Sequence, residues 1–181
     1  LGLVDAEDSA ALVADPSYRV TRVYGNVLLE VDDGLNSQVV HFGGDSGIVA
    51  GYRPELHFWS NTVVSTRSGN TTLVRLSDPG QTARIWNNAI HATAGSGRLA
   101  LAEGGGGLEL GGDWLTAGWV ASHGATGPIA DAGGNQTGTA PGFVALGFVA
   151  LRGGAIRVRA GGVVLEARVR QRHLVGLARR V

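Results

Sequence analysis

The chain has 181 residues, 44% of them apolar and 17% charged, enough for one domain with a full core. It contains neither Cys nor Lys, which excludes disulfides, zinc–thiolate sites, thiol nucleophiles and lysine catalysis. No apolar run approaches the roughly 20 residues of a membrane-spanning helix, and 30 glycines favour short strands joined by tight turns over long helices. The net charge of zero is unevenly spread: residues 1–150 carry −7 and residues 151–181, with eight Arg against Glu166, carry +7. With no Met, the sequence is expected to begin inside a longer or processed product.

In chain order, four runs align on one polar position. RVYGNVLLE (22–30), HFWSNTVVS (57–65), RIWNNAIHA (84–92) and LELGGDWLT (108–116) superpose Asn26, Asn61, Asn88 and Asp113 at intervals of 35, 27 and 25 residues. Each opens with period-2 alternation, predicting a strand, and bends at the amide into another. SQVVHFGGD (37–45), TTLVRLSDP (71–79) and GRLALAEGG (97–105) keep step between them as a second strand set. The first interval exceeds the next by eight residues, and the excess falls in GGDSGIVAGYRPE (43–55), predicting a long loop. Residues 123–142 read as a Gly-rich, irregular connection. Residues 143–181 read as an Arg-rich β-type cap or tail, in which AGG at 160–162 suits a hairpin turn.

Short strands repeating at this interval without a helical period predict an all-β fold over residues 1–122, a parallel β-solenoid of about four recognisable rungs. Val23, Phe58, Ile85 and Leu110 are expected in one inward column, with Val27 or Leu28, Val63, Ile90 and Leu115 in another beyond the bend. Asn26, Asn61, Asn88 and Asp113 are expected to form a structural ladder. Asn tolerates left-handed backbone angles at a bend, and its amide can donate to one neighbour while accepting from the other. On the NTVV and NNAI turns and the two-strand rhythm around them, residues 18–122 resemble the right-handed parallel β-helix of the pectate-lyase-like superfamily. The resemblance implies the fold only. No lyase or glycosidase signature is matched, so no family active site is carried over. It also implies a stack of more rungs, of which this chain is the C-terminal part.

GGDSG evokes a serine-protease nucleophile loop, but the only His before Ser46 is His41, five residues away on the adjoining strand, so neither known triad layout can be built. The loop is either a wide turn capped by Asp45 or a binding loop on a rigid scaffold. Alternation points Tyr24, Trp59 and Trp86 outward in one column, beside Arg22, His57, Arg84 and Glu109 in the next. Tyr24, Trp59, Trp86, His57 and Arg84 are therefore the candidate substrate-binding set, since aromatic faces beside Arg suit sugar rings and carboxylates. The alternative is that these rings pack beneath a crossing segment.

His41, Arg75 and Ala100 are expected outward on the second strand set, with Asp45, Asp78 and Glu103 stacked at the following turn. Such acids suit Ca²⁺, and His41, Asp45, Arg75 and Asp78 are the catalytic candidates of an acid-sugar lyase. The alternative is turn capping and local ion pairing, with no cofactor. His91 and His123 read as isolated surface or turn residues. For the tail, a hairpin cap, an Arg face for an anionic partner and an unstructured end remain open. No nucleic-acid motif is present. Two functions are expected to compete: an extracellular or periplasmic bacterial protein that binds, and in one version cleaves, an acidic polysaccharide, and a non-catalytic structural or adhesin-like solenoid.

Overall fold

The computed structural model describes residues 1–3, 14–32, 36–43 and 54–142, and beyond them the backbone of residues 149–151, 155–160, 163–170 and 173–179. It divides into two compact units, Leu1–Thr139 and Ala140–Val181. Among the described residues the elements are strands, apart from a 3₁₀ turn at Pro16–Arg19 that Asp15 caps through the Ser17 N–H. The class is all-β, as the period-2 runs predict.

The first unit contains β1 (Gly2–Leu3), β2 (Val20–Tyr24), β3 (Val27–Glu30), β4 (Gln38–Phe42), β5 (Glu55–Trp59), β6 (Thr62–Ser65), β7 (Thr71–Leu76), β8 (Thr82–Trp86), β9 (Ala89–Ala92), β10 (Leu99–Gly104), β11 (Gly107–Gly111), β12 (Trp114–Thr116), β13 (Ile129–Asp131) and β14 (Gln136–Gly138). These form three parallel sheets, ordered β13-β11-β8-β5-β2, β14-β12-β9-β6-β3 and β1-β4-β7-β10. From β2 to β12 the chain visits the sheets in rotation, so equivalent runs of the repeat become hydrogen-bonded neighbours. The arrangement is compatible with a β-helix.

In-register pairing turns sequence columns into core columns. Val23, Phe58, Ile85 and Leu110 meet side by side in the first sheet and are buried. Leu28, Val63, Ile90 and Leu115 meet in the same way in the second; the last three are buried, and the partly buried Leu28 rather than Val27 is the member that packs on the core. The third sheet adds Val40, Val74 and Ala102, then Phe42 and Leu76. A single repeat cannot bury such a strip alone; its neighbours do it. At the end of β10 the approach is so close that a Cβ on Gly104, at φ +96°, would collide with the Leu76 carbonyl oxygen.

Two expectations change. The stretch read as an irregular connection contains β13 and β14, which pair with β11 and β12 and extend both sheets. Its residues are mostly exposed, so no apolar alternation announces these strands; backbone bonds such as Ala132 N–H to Leu110 O (2.7 Å) and Gln136 N–H to Asp113 O (2.8 Å) hold them. In the third sheet Glu103, not Ala100, stands beside Arg75. Ala100 lies opposite Thr72 and is fully buried.

The second unit is an antiparallel sheet of β15 (Val149–Leu151), β16 (Ala155–Ala160), β17 (Val163–Arg170) and β18 (His173–Arg179), paired in chain order. Ala160 pairs with Val163, while Gly161 and Gly162 of the expected turn lie outside the described residues. Asp45 and Ser46 lie outside the described residues.

Candidate functional site

The outward face of the first sheet is built by β2, β5 and β8, whose register sets Tyr24, Trp59 and Trp86 side by side. The Tyr24 and Trp59 ring centroids are 4.6 Å apart and inclined by 14°; those of Trp59 and Trp86 are 5.4 Å apart and inclined by 6°. Strand spacing is about 4.8 Å, so identical positions in register place aromatic rings at stacking distance. The expected column of Tyr24, Trp59 and Trp86 is therefore a stack of rings. The faces close on one another, the edges point outward, and both tryptophans are half-buried while Tyr24 keeps 59% of its surface.

Two residues earlier, Arg22, His57, Arg84 and Glu109 share a second column. Arg22, Arg84 and Glu109 are exposed and make no hydrogen bond or ion pair among the described residues. His57 differs: its Nε2 lies 3.1 Å from Glu55 Oε2, and its ring meets Trp86 edge-on at 5.5 Å.

Where the first sheet turns into the second, the ladder residues link the repeats. Asn26 Nδ2 donates to Asn61 Oδ1 (3.0 Å), Asn61 Nδ2 to Asn88 Oδ1 (3.2 Å), and Asn88 Nδ2 to Asp113 Oδ1 (2.8 Å). Each Oδ1 also accepts the backbone N–H of the preceding member. Asp113 suits the end of the side-chain-to-side-chain links because a carboxylate only accepts, and donors converge on it from Asn88 and Gly111. Burial nonetheless pushes its pKa up, against the lowering effect of those hydrogen bonds. Its own N–H continues the line to Asn135 Oδ1 at 2.8 Å, a fifth member 22 residues on. The sequence carried that signal: GGNQT at 133–137 echoes GGDWL at 111–115.

The left-handed backbone at this bend belongs to the residue before each ladder amide: Gly25, Ser60 (φ 53°), Asn87 (φ 56°), Gly112 and Gly134. The amides are thus kept for bridging repeats, and the left-handed residue of the bend falls one position earlier than expected. Outside the bend lies a polar groove of ≈ 440 Å³, lined by Ser60, Thr62, Asn87, Gly112, Trp114 and Gln136 among others. His91 sits beside it, half-buried, its ring 6.1 Å from Trp114, and burial lowers its pKa. His123, by contrast, is exposed, with Nε2 on Gly97 O at 2.9 Å.

Among the described residues the other candidates, His41, Arg75 and Asp78, are not drawn into one site. His41 and Arg75 are register neighbours, but His41 Nε2 bonds Ser77 Oγ at 3.0 Å. Asp78 caps its own turn through the Gly80 N–H (2.7 Å), whereas Glu103 lies on β10 and accepts from Gln38 Nε2 at 3.2 Å. Since Leu76 pairs with Gly104, Asp78 and Glu103 fall at different levels and do not stack. Among the described residues no three His, Asp or Glu side chains converge as metal ligands. No protein-family model, no curated protein and no solved structure matches the chain.

Proposed function

We propose that the first unit is a right-handed parallel β-helix of the pectate-lyase-like type, and that the outward face of its first sheet binds an acidic polysaccharide outside the cytoplasm. The observation that carries this reading is the pair Arg22 and Arg84, both exposed and without partners among the described residues, along the flank of the aromatic stack. They stand two strands apart in one column, a separation of about 10 Å. Guanidinium groups take carboxylates in bidentate pairs. The outward ring edges between them are the positive rim of the aromatic quadrupole and suit the oxygen-rich surface of a sugar chain.

The test is retention of polygalacturonate, alginate and gellan, compared with neutral glucan, by wild type and by Arg22→Ala/Arg84→Ala. The double variant should melt like wild type, because neither side chain is buried, and should lose acidic-polymer retention. Release of unsaturated ends or reducing ends in the same samples would add cleavage to binding. Retention unaffected by the double substitution refutes the reading.

A second reading has its own support. Ring faces closed on one another contribute about 0.5–1.5 kcal/mol per pair beyond burial, so the stack explains itself in a non-catalytic structural or adhesin-like solenoid. Arginine substitutions without effect on any polymer favour that reading.

A further inference from the structure

The aromatic column has three members and then stops. The next position in register after Trp86 is Gly111. Trp59 covers one face of the Trp86 indole, and His57 meets the ring from the same neighbouring strand, while β11 offers no side chain to the other face. A Cβ on Gly111 would meet no atom of Trp86 within 4 Å; its nearest neighbours would be Ala132 Cβ at 3.5 Å and Gly133 O at 3.8 Å. The column therefore leaves a notch about one strand spacing high, matching the 4.6 and 5.4 Å at which its own rings stack.

The surroundings of the notch are polar. Glu109, two residues before Gly111 on the same strand face, lies on one side, and Arg84 is its register neighbour. One residue past Trp86 and Gly111, Asn87 and Gly112 line the groove that also reaches Trp114. At ≈ 440 Å³ the groove has the size of small-ligand sites.

We propose that the notch is a saccharide subsite, in which a hexopyranose ring lays its apolar face on the free face of Trp86 and completes the column as its fourth ring. The ring's hydroxyls donate to the Glu109 carboxylate, and the adjoining sugar lies in the groove towards Trp114. This rests on the polysaccharide reading and specifies which sugar enters. Glu109 repels a carboxylate at that level, so the stacked ring is a neutral one, and carboxylates on neighbouring sugars meet Arg84 and Arg22.

Two probes and two variants test it. Saturation-transfer NMR with methyl β-glucoside reads the notch alone. Tryptophan-emission titration with gellan, whose glucuronates are separated by neutral sugars, reads the whole face. Gly111→Trp fills the notch with the chain's own ring, at a strand position with only ordinary contacts around the new Cβ. Glu109→Ala removes the acceptor from an exposed site. Wild type should show transfer to the glucoside. Gly111→Trp should melt at or above wild type, lose that transfer, and bind gellan at least roughly tenfold more weakly, as expected for one lost contact of about 1.4 kcal/mol. Glu109→Ala should show a similar loss with unchanged melting.

No transfer in wild type, or full transfer in a normally melting Gly111→Trp, overturns the subsite. If Gly111→Trp does not fold, unchanged binding by Glu109→Ala overturns it. Gellan affinity lost in the arginine variant but kept in Gly111→Trp removes the notch and leaves the polysaccharide reading standing. Glucoside transfer without any binding of acidic polymer does the reverse.

Discussion

Replacing Asn61 by Ala tests the ladder where it is deepest. Asn61 is 2% exposed, and its side chain makes four hydrogen bonds: Nδ2 to Val23 O (3.0 Å) and Asn88 Oδ1 (3.2 Å), and Oδ1 from the Asn26 N–H (3.0 Å) and Asn26 Nδ2 (3.0 Å). Asn88 Oδ1 keeps the Asn61 backbone N–H at 2.9 Å, and water reaches Asn26, which is exposed. The loss thus concentrates on the Val23 carbonyl and, in part, the Asn26 N–H. A buried polar group left unpaired costs about 1–3 kcal/mol, so the expected destabilisation is about 2–3 kcal/mol. With a urea slope of about 2 kcal/mol per molar, the midpoint falls by about 1 M, read from tryptophan emission. Asn70→Ala serves as comparator, since Asn70 is exposed and accepts only from Arg98, and should change stability by no more than about 0.5 kcal/mol. Asn61→Asp should be worse than Ala at neutral pH, because it sets an anion against the Val23 and Asn88 oxygens, and should recover partly in acid. Equal midpoints for Asn61→Ala and Asn70→Ala would refute the ladder's energetic role.

Gly104→Ala must push back the Leu76 carbonyl as well as strain φ +96°, whereas Gly95→Ala, at φ +92° with nothing within 4 Å, meets only the backbone strain of about 1–2 kcal/mol. Thermal melting should show the larger loss at Gly104, about 3 kcal/mol or more; similar losses would contradict the close approach of β7 and β10. Because burial raises the folded-state pKa of Asp113, the folded chain holds that proton at higher pH than the unfolded chain. Wild type should therefore gain stability relative to Asp113→Asn as pH falls from neutral through the raised value, levelling off below the ordinary 3.8. A pH-independent difference in urea midpoints would contradict this.

Much of the first unit was legible because a parallel repeat converts sequence interval into spatial neighbourhood. Once Asn26, Asn61, Asn88 and Asp113 were aligned, the pairings of Phe58 with Ile85 and Trp59 with Trp86 followed, since strands in register place equal positions side by side. Strand alternation then assigned inward and outward faces without reference to distant parts of the chain.

What depended on geometry finer than period 2 came from the tertiary structure. Whether Tyr24, Trp59 and Trp86 show faces or edges is a matter of side-chain rotation, which the strand spacing resolves in favour of stacking. The register of β10 against β7 was misaligned because GRLALAEGG is apolar at successive positions and offers no alternation to choose Glu103 over Ala100. Similarly, β13 and β14 have almost no apolar signature. They form because β11 and β12 present unpaired backbone edges, and an extended segment satisfies those donors and acceptors whatever its side chains. Gly111 stands opposite Trp86 already in the alignment on Asn88 and Asp113, but only the folded chain shows that the rings before it stack at 4.6 and 5.4 Å, which makes it the empty fourth position of an aromatic column.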